Sequence, residues 1–218
     1  MSVHFIVKTS GGGGGGGSGP TIIQGVKENC TPASSTTMSV AFTVSVTAGN
    51  TLVATVGWDS STGSLVQVSD NLNGNWTAAG ALKQGNSCSA GIYYFHNTVG
   101  GSCTVTVTVS PGQGYLEIAV IEVKNLTGAV DVYTSGTANT ASASAGNLVT
   151  TVANDLLVAL CVPTTNVNSG TSGWAFTNFT TSGNGFETLI AATAGTYTPT
   201  FTLAGTGYAT VAAAFKSS

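Results

Sequence analysis

Residues 101–109 read GSCTVTVTV, and this short run constrains the fold more than any other part of the chain. Cys103, Val105, Val107 and Val109 alternate with Thr104, Thr106 and Thr108. Successive side chains of an extended strand point to opposite faces. Only a strand therefore gathers the apolar set on one face and the hydroxyls on the other; a helix would scatter both. The pattern returns at an offset of 94, where residues 195–203 read GTYTPTFTL and keep Thr198, Thr200 and Thr202. The match starts at Gly91-Ile92 over Gly185-Phe186. It continues into the next strands, YLEIAVIEVK (115–124) and YATVAAAFK (208–216). Upstream, GNTLVATVGW (49–58) lies over ANDLLVALCV (153–162), ten residues further out of phase. Two pseudo-repeated halves are expected, 21–127 and 128–218, each of about seven or eight short strands. With no linker between them, they are expected to pack as one compact unit.

The rest of the chain agrees. Met38, Val40, Phe42, Val44 and Val46 alternate with Ser39, Ala41, Thr43 and Ser45, while 51–58, 115–123 and 155–162 are continuously apolar, as central strands are. Gly, Asn, Ser and Pro punctuate these runs at the spacing of sandwiches and barrels, and no amphipathic helix is legible. The expected class is all-β, an antiparallel β-sandwich of jelly-roll or Ig-like type. Charged residues make up only 6% of the chain, against about 25% in ordinary globular proteins. The 35 threonines and 23 serines must wet the surface instead. Five Lys and Arg leave no basic footprint for nucleic acid or an anionic membrane. A hydrophobic share of 42% argues against disorder. No stretch approaches the roughly 18 apolar residues of a membrane helix. The opening MSVHFIVKT is too short in apolar residues for a signal-peptide core, so no secretory leader is expected.

The N-terminus has its own organisation. Residues 1–10 form a head in which Val3, Phe5 and Val7 alternate with His4, Ile6 and Lys8, the mark of a single strand. A lone strand is not stable alone, so it must pair with its own domain's edge or with a neighbour. Residues 11–20 contain seven consecutive glycines, then Ser18, Gly19 and Pro20, the composition of a flexible linker.

Residues with chemistry are few. The acids Glu28, Asp59, Asp70, Glu117, Glu122, Asp131, Asp155 and Glu187 are scattered, and sequence pairs no two of them across a scissile bond. Glu117 and Glu122 fall on opposite strand faces by parity. His4 and His96 lack both metal-ligand spacing and a Gly-x-Ser-x-Gly elbow, so neither a metal nor a catalytic triad is expected. VSDNLNGNWT (68–77) departs from calcium-loop spacing and reads as a hairpin turn, with Asn73-Gly74 supplying positive φ. Trp76, Tyr93 and Tyr94 are the candidates for stacking on a glycan, although aromatic residues in a β protein serve the core first. Cys30, Cys88, Cys103 and Cys161 allow three full pairings. Cys88 and Cys103 flank one hairpin, where a bridge would staple it, and Cys161 reads as a buried thiol. No cofactor is implied.

The succession GNTLVATVGW, VSDNLNGNWT, GIYYFHNTVGGSCTVTVTV and YLEIAVIEVK resembles a β-sandwich pattern of bacterial extracellular and bacteriophage structural proteins. The resemblance covers 49–124 well and 154–216 loosely, because Gly173-Trp174-Ala175-Phe176 stands where the Asn-Trp-Thr hairpin would be. It implies fold and setting and carries over no catalytic residue. The expected role is non-enzymatic: a virion surface component, either a capsid decoration protein or a tail or fibre protein. Val3, Phe5 and Val7 would add as a strand to a neighbouring subunit in a homo-oligomer or larger assembly. A fimbria-like filament subunit and a carbohydrate-binding adhesin are the alternatives. The expected location is the virion surface or the cell exterior.

Overall fold

The computed structural model describes residues 3–4, 19–31, 33–179 and 181–218, with the side chains of 3–4, 26–29 and 31 left aside. No helix occurs among the described residues. The first half comprises β1 (Val3–His4), β2 (Thr21–Thr31), β3 (Ser35–Ala41), β4 (Thr51–Trp58), β5 (Ser64–Asp70), β6 (Gly74–Asn75), β7 (Thr77–Ala78), β8 (Lys83–Gly85), β9 (Cys88–Phe95), β10 (Thr104–Gln113) and β11 (Leu116–Lys124). The second comprises β12 (Leu126–Ala138), β13 (Ser142–Ser144), β14 (Leu148–Val149), β15 (Asp155–Pro163), β16 (Val167–Ser169), β17 (Ala175–Asn178), β18 (Gly185–Ala191), β19 (Thr196–Tyr197), β20 (Thr200–Leu203) and β21 (Tyr208–Ser217).

Each half makes one large and one small antiparallel sheet, and the second adds a two-stranded one. The large sheets run β1-β2-β11-β4-β9-β7, with β8 also on β9, and β12-β21-β15-β18-β17. The small ones run β3-β10-β5-β6 and β13-β20-β16, and β14 pairs with β19. From β2 and β12 onward, the two large sheets place their strands in the same sequential order.

Alternating side chains explain the stacking. On β4, Leu52, Ala54, Val56 and Trp58 join Val105 and Val107 of β10 in a first core. The opposite face of the same sheet, with Val53, Ile92 and Ile121, meets Leu156, Val158, Leu160, Val211 and Phe215 of the second half in a central core. Leu157, Ala159 and Ala212 then face Phe201 and Leu203 in a third. The layers are therefore small sheet, large sheet, large sheet, small sheet. Both large sheets are covered on both faces, which is why β4 and β15 are buried at every residue and read as unbroken apolar runs. The small sheets are covered on one face and keep the alternation: on β10, Val105, Val107 and Val109 are buried while the threonines between them are partly exposed. Ser39 and Thr106 hydroxyls bond across β3 and β10 at 2.8 Å on the wetted side.

Candidate functional site

Two places on this frame could act outward or do chemistry: the edge of the first large sheet and a buried carboxyl cluster in the second.

The edge strand is β2. Val3 pairs antiparallel with Lys27 and His4 with Val26, so the head of the chain adds a strand to its own domain's edge. Phe5 and Val7, the other expected docking residues, lie outside the described residues. The corresponding edge in the second half, β12, is hydrogen-bonded to the first half. The Asn86 amide donates to Ala138 O at 2.9 Å and to Thr137 Oγ1 at 2.8 Å, and the Tyr133 hydroxyl donates to Ala81 O at 2.5 Å. Beside β2, by contrast, Ile23 is 45% exposed and Val44 65% exposed, and Gln24 Nε2 donates to Val44 O at 3.0 Å.

Of the expected glycan-stacking residues, Trp76 is withdrawn into the core while Tyr93 and Tyr94 are half-buried. Trp76 is buried in the first core, and its indole N–H donates to Asp70 Oδ2 at 2.6 Å. Tyr93 and Tyr94 are adjacent on β9 and so turn to opposite faces. Tyr93 packs on the first core, whereas Tyr94 makes an edge contact with Phe215 in the central one, ring centroids 5.3 Å apart. The hairpin reading of 68–77 holds: Asp70 pairs with Gly74, which has φ +88°. His96 is exposed, with Nδ1 2.9 Å from Thr51 Oγ1.

The expected Cys88–Cys103 bridge is also corrected. Cys88 and Cys103 are both free thiols. Cys88 faces the central core and Cys103 the first core, so the large sheet stands between them. Burial, aided by Asp59 for Cys88 and by Asp70 and Glu122 for Cys103, pushes both thiols up to about 12. They are inert at neutral pH.

The carboxyl cluster was invisible in the sequence because its members are far apart along the chain. Asp131 on β12, Thr151 after β14, Asp155 at the start of β15 and Lys216 near the end of β21 converge at one end of the second large sheet. Lys216 Nζ lies 3.1 Å from Asp131 Oδ1, with side-chain exposures of 34% for Lys216 and 2% for Asp131. Thr151 donates to the same carboxylate from its backbone N–H at 2.5 Å and its hydroxyl at 2.6 Å. Burial works to raise Asp131, but the bonds from Thr151, Lys216 and Asp155 outweigh it and hold it down at about 2. Asp155 is fully buried. Burial, followed by the adjoining Asp131, pushes it up to about 7, against the smaller pull of the Ser217 backbone and Lys216.

Besides Asp70, three further acids are buried. Glu122 accepts from Thr47 N–H, Asn50 Nδ2 and Gln24 Nε2 at 2.6–2.8 Å, which fastens the strand-end loops to β11. Glu117 accepts from the Ser182 hydroxyl across the two halves, beside the fully buried Asn184, whose amide atoms have no hydrogen-bond partner. Glu187 accepts from Thr171 N–H and Oγ1 at 2.7 and 2.6 Å inside the third core. Comparison with protein-family models, curated proteins and solved structures gave no match.

Proposed function

We propose that the chain is a non-enzymatic structural protein that joins an extracellular or virion-surface assembly by strand addition. The observation that carries this reading is the antiparallel pairing of Val3–His4 with Val26–Lys27 at the edge of a large sheet. An arm that can add to an edge in its own chain can add to the same edge of a neighbour. Main-chain hydrogen bonds would supply affinity, and alternate side chains the register. The glycine-rich residues 11–19 give the arm its reach, up to about 3.3–3.6 Å per residue when extended. The hydroxyl-coated, nearly uncharged exterior suits a permanent place in such an assembly, and the resemblance to phage and bacterial structural sandwiches makes a decoration, tail or fibre protein the reading of choice.

Size-exclusion chromatography with light scattering on the full chain and on residues 21–218 tests this. Assembly by the full chain alone is the expected result, and Phe5→Asp should abolish it while the domain stays folded. Identical monomers from both forms would overturn docking between copies.

A further inference from the structure

The Asp131 cluster plays no part in strand docking, and it differs from an ordinary surface ion pair. An exposed Lys–Asp bridge leaves water around both charges. Here the Asp131 side chain is 2% exposed and Lys216 closes the cluster from the solvent side. Asp155 is fully buried, no close hydrogen bond reaches either of its oxygens, the Ser217 backbone gives it only a weak pull, and it adjoins the Asp131 carboxylate. Neighbouring carboxyl groups favour one shared proton, and fully buried Asp155 is the one pushed toward holding it. The backbone aims the pair as well. Val130 pairs with Phe215 but Val132 pairs with Ala214, so Asp131 is the extra residue of a β-bulge. A bulge re-aims a side chain that the regular ladder would direct elsewhere.

A primary amine thus touches a buried carboxyl group, a second buried carboxyl pushed toward its acid form adjoins the first, and a backbone N–H and a hydroxyl bind the reacting oxygens. These are the parts an amide condensation needs. We propose that Lys216 and Asp131 are joined by an intramolecular isopeptide bond, formed without a cofactor and assisted by Asp155, which ties the first and last strands of the second half.

Attack needs a neutral amine, so the ammonium of Lys216 first gives a proton to the Asp131 carboxylate 3.1 Å away, an uphill step against the bonds that hold that carboxylate ionised. The Nζ lone pair attacks Asp131 Cγ, and Asp155 donates its proton to the carboxyl oxygen where charge develops. The Thr151 donors hold that oxygen in place. The C–O bond then breaks, one oxygen leaves as water, and Asp155 recovers a proton from Nζ. In sum, ammonium and carboxylate become amide and water, with no change of oxidation state. Holding the two groups in contact removes the entropy cost that blocks such a condensation in solution.

Intact-mass spectrometry of the full chain under denaturing conditions reads this directly. The chain should be lighter than its sequence by one water, and peptide mapping should find Asp131 and Lys216 in one cross-linked pair. Lys216→Arg and Asp155→Asn should both restore the full mass. An unmodified wild-type mass overturns the bond, as does a missing water that maps elsewhere, such as a succinimide at another aspartate; loss of ammonia at the Asn73-Gly74 turn is told apart by its different mass. Loss of water undiminished in Asp155→Asn would overturn the part given to that residue. The wild-type mass decides the matter whether or not the variants fold, and it is independent of strand docking.

Discussion

Asp70 shows how a single carboxylate can build a turn. It accepts from Leu72 N–H at 2.7 Å, Asn73 N–H at 2.6 Å, the Asn73 amide at 2.9 Å and the Trp76 indole at 2.6 Å. The turn after β5 and the aromatic anchor of the first core thus share one acceptor. Asp70→Ala would leave the buried indole N–H and two turn amides unpaired, so it should cost about 2–4 kcal/mol by urea denaturation. A cost below about 0.5 kcal/mol would mean that water replaces the carboxylate. Glu187 offers a second test. It is fully buried, and burial pushes it up to about 7, against the two bonds from Thr171. Between its ordinary value of 4.5 and about 7, the folded chain holds a proton that the unfolded chain has lost. Stability therefore falls as pH rises through that window and is flat above it. The contribution is at most about 3 kcal/mol. Glu187→Gln should reduce the loss in urea midpoint between about pH 5 and pH 8; an unchanged slope would show that Glu187 does not titrate there.

At the scale of the strand, β4 must pack on both faces at once, and Gly57 marks where space ran out. A Cβ built there would come 2.6 Å from Val162 Cγ2 and 3.4 Å from Asn184 Nδ2, both in the second half. Gly57→Val should therefore cost about 1–3 kcal/mol through overpacking. Gly74→Ala, at a turn with open space around it, should cost only its positive-φ strain of about 1 kcal/mol. Equal effects on thermal midpoint would contradict tight contact between the halves. How much the sequence disclosed follows the same division. The Val105–Val109 alternation named both the strand and its buried face, because one covered face leaves a period of two. The runs 51–58 and 155–162 identified central strands but not what covered them, since a strand buried on both sides has no polar phase. For the same reason Cys88 and Cys103, close along one hairpin, looked ready to bridge although a sheet separates them. Trp76 beside a polar turn looked like a ligand platform, and its bond to Asp70 explains why it is not one. Asp131, Thr151, Asp155 and Lys216 had no local signal, because only the pairing of β12 and β15 with β21 unites them.

At the scale of the molecule, the central core decides whether the two halves behave as one body. It draws Val53, Ile92 and Ile121 from one half and Leu156, Val158, Leu160 and Phe215 from the other, all nearly inaccessible. Either half alone would present that face to water, at about 25 cal/mol for each Å² exposed. Patches of more than a few hundred Å² are rarely left bare on a soluble monomer. The chain should therefore unfold as one cooperative unit. Its tryptophans make this measurable: Trp58 and Trp76 lie in the first core, and Trp174 packs on the third. In a Trp174→Phe background the fluorescence reports the first half alone. Leu157→Ala removes a fully buried side chain from the third core and should cost about 2–5 kcal/mol. If the central core couples the halves, that distant cavity must lower the midpoint seen by Trp58 and Trp76, and by as much as it lowers the circular-dichroism midpoint of the whole chain. If the first-half fluorescence stays put while circular dichroism splits into two transitions, the halves are separate domains in contact, and the large sheets do not form a shared core.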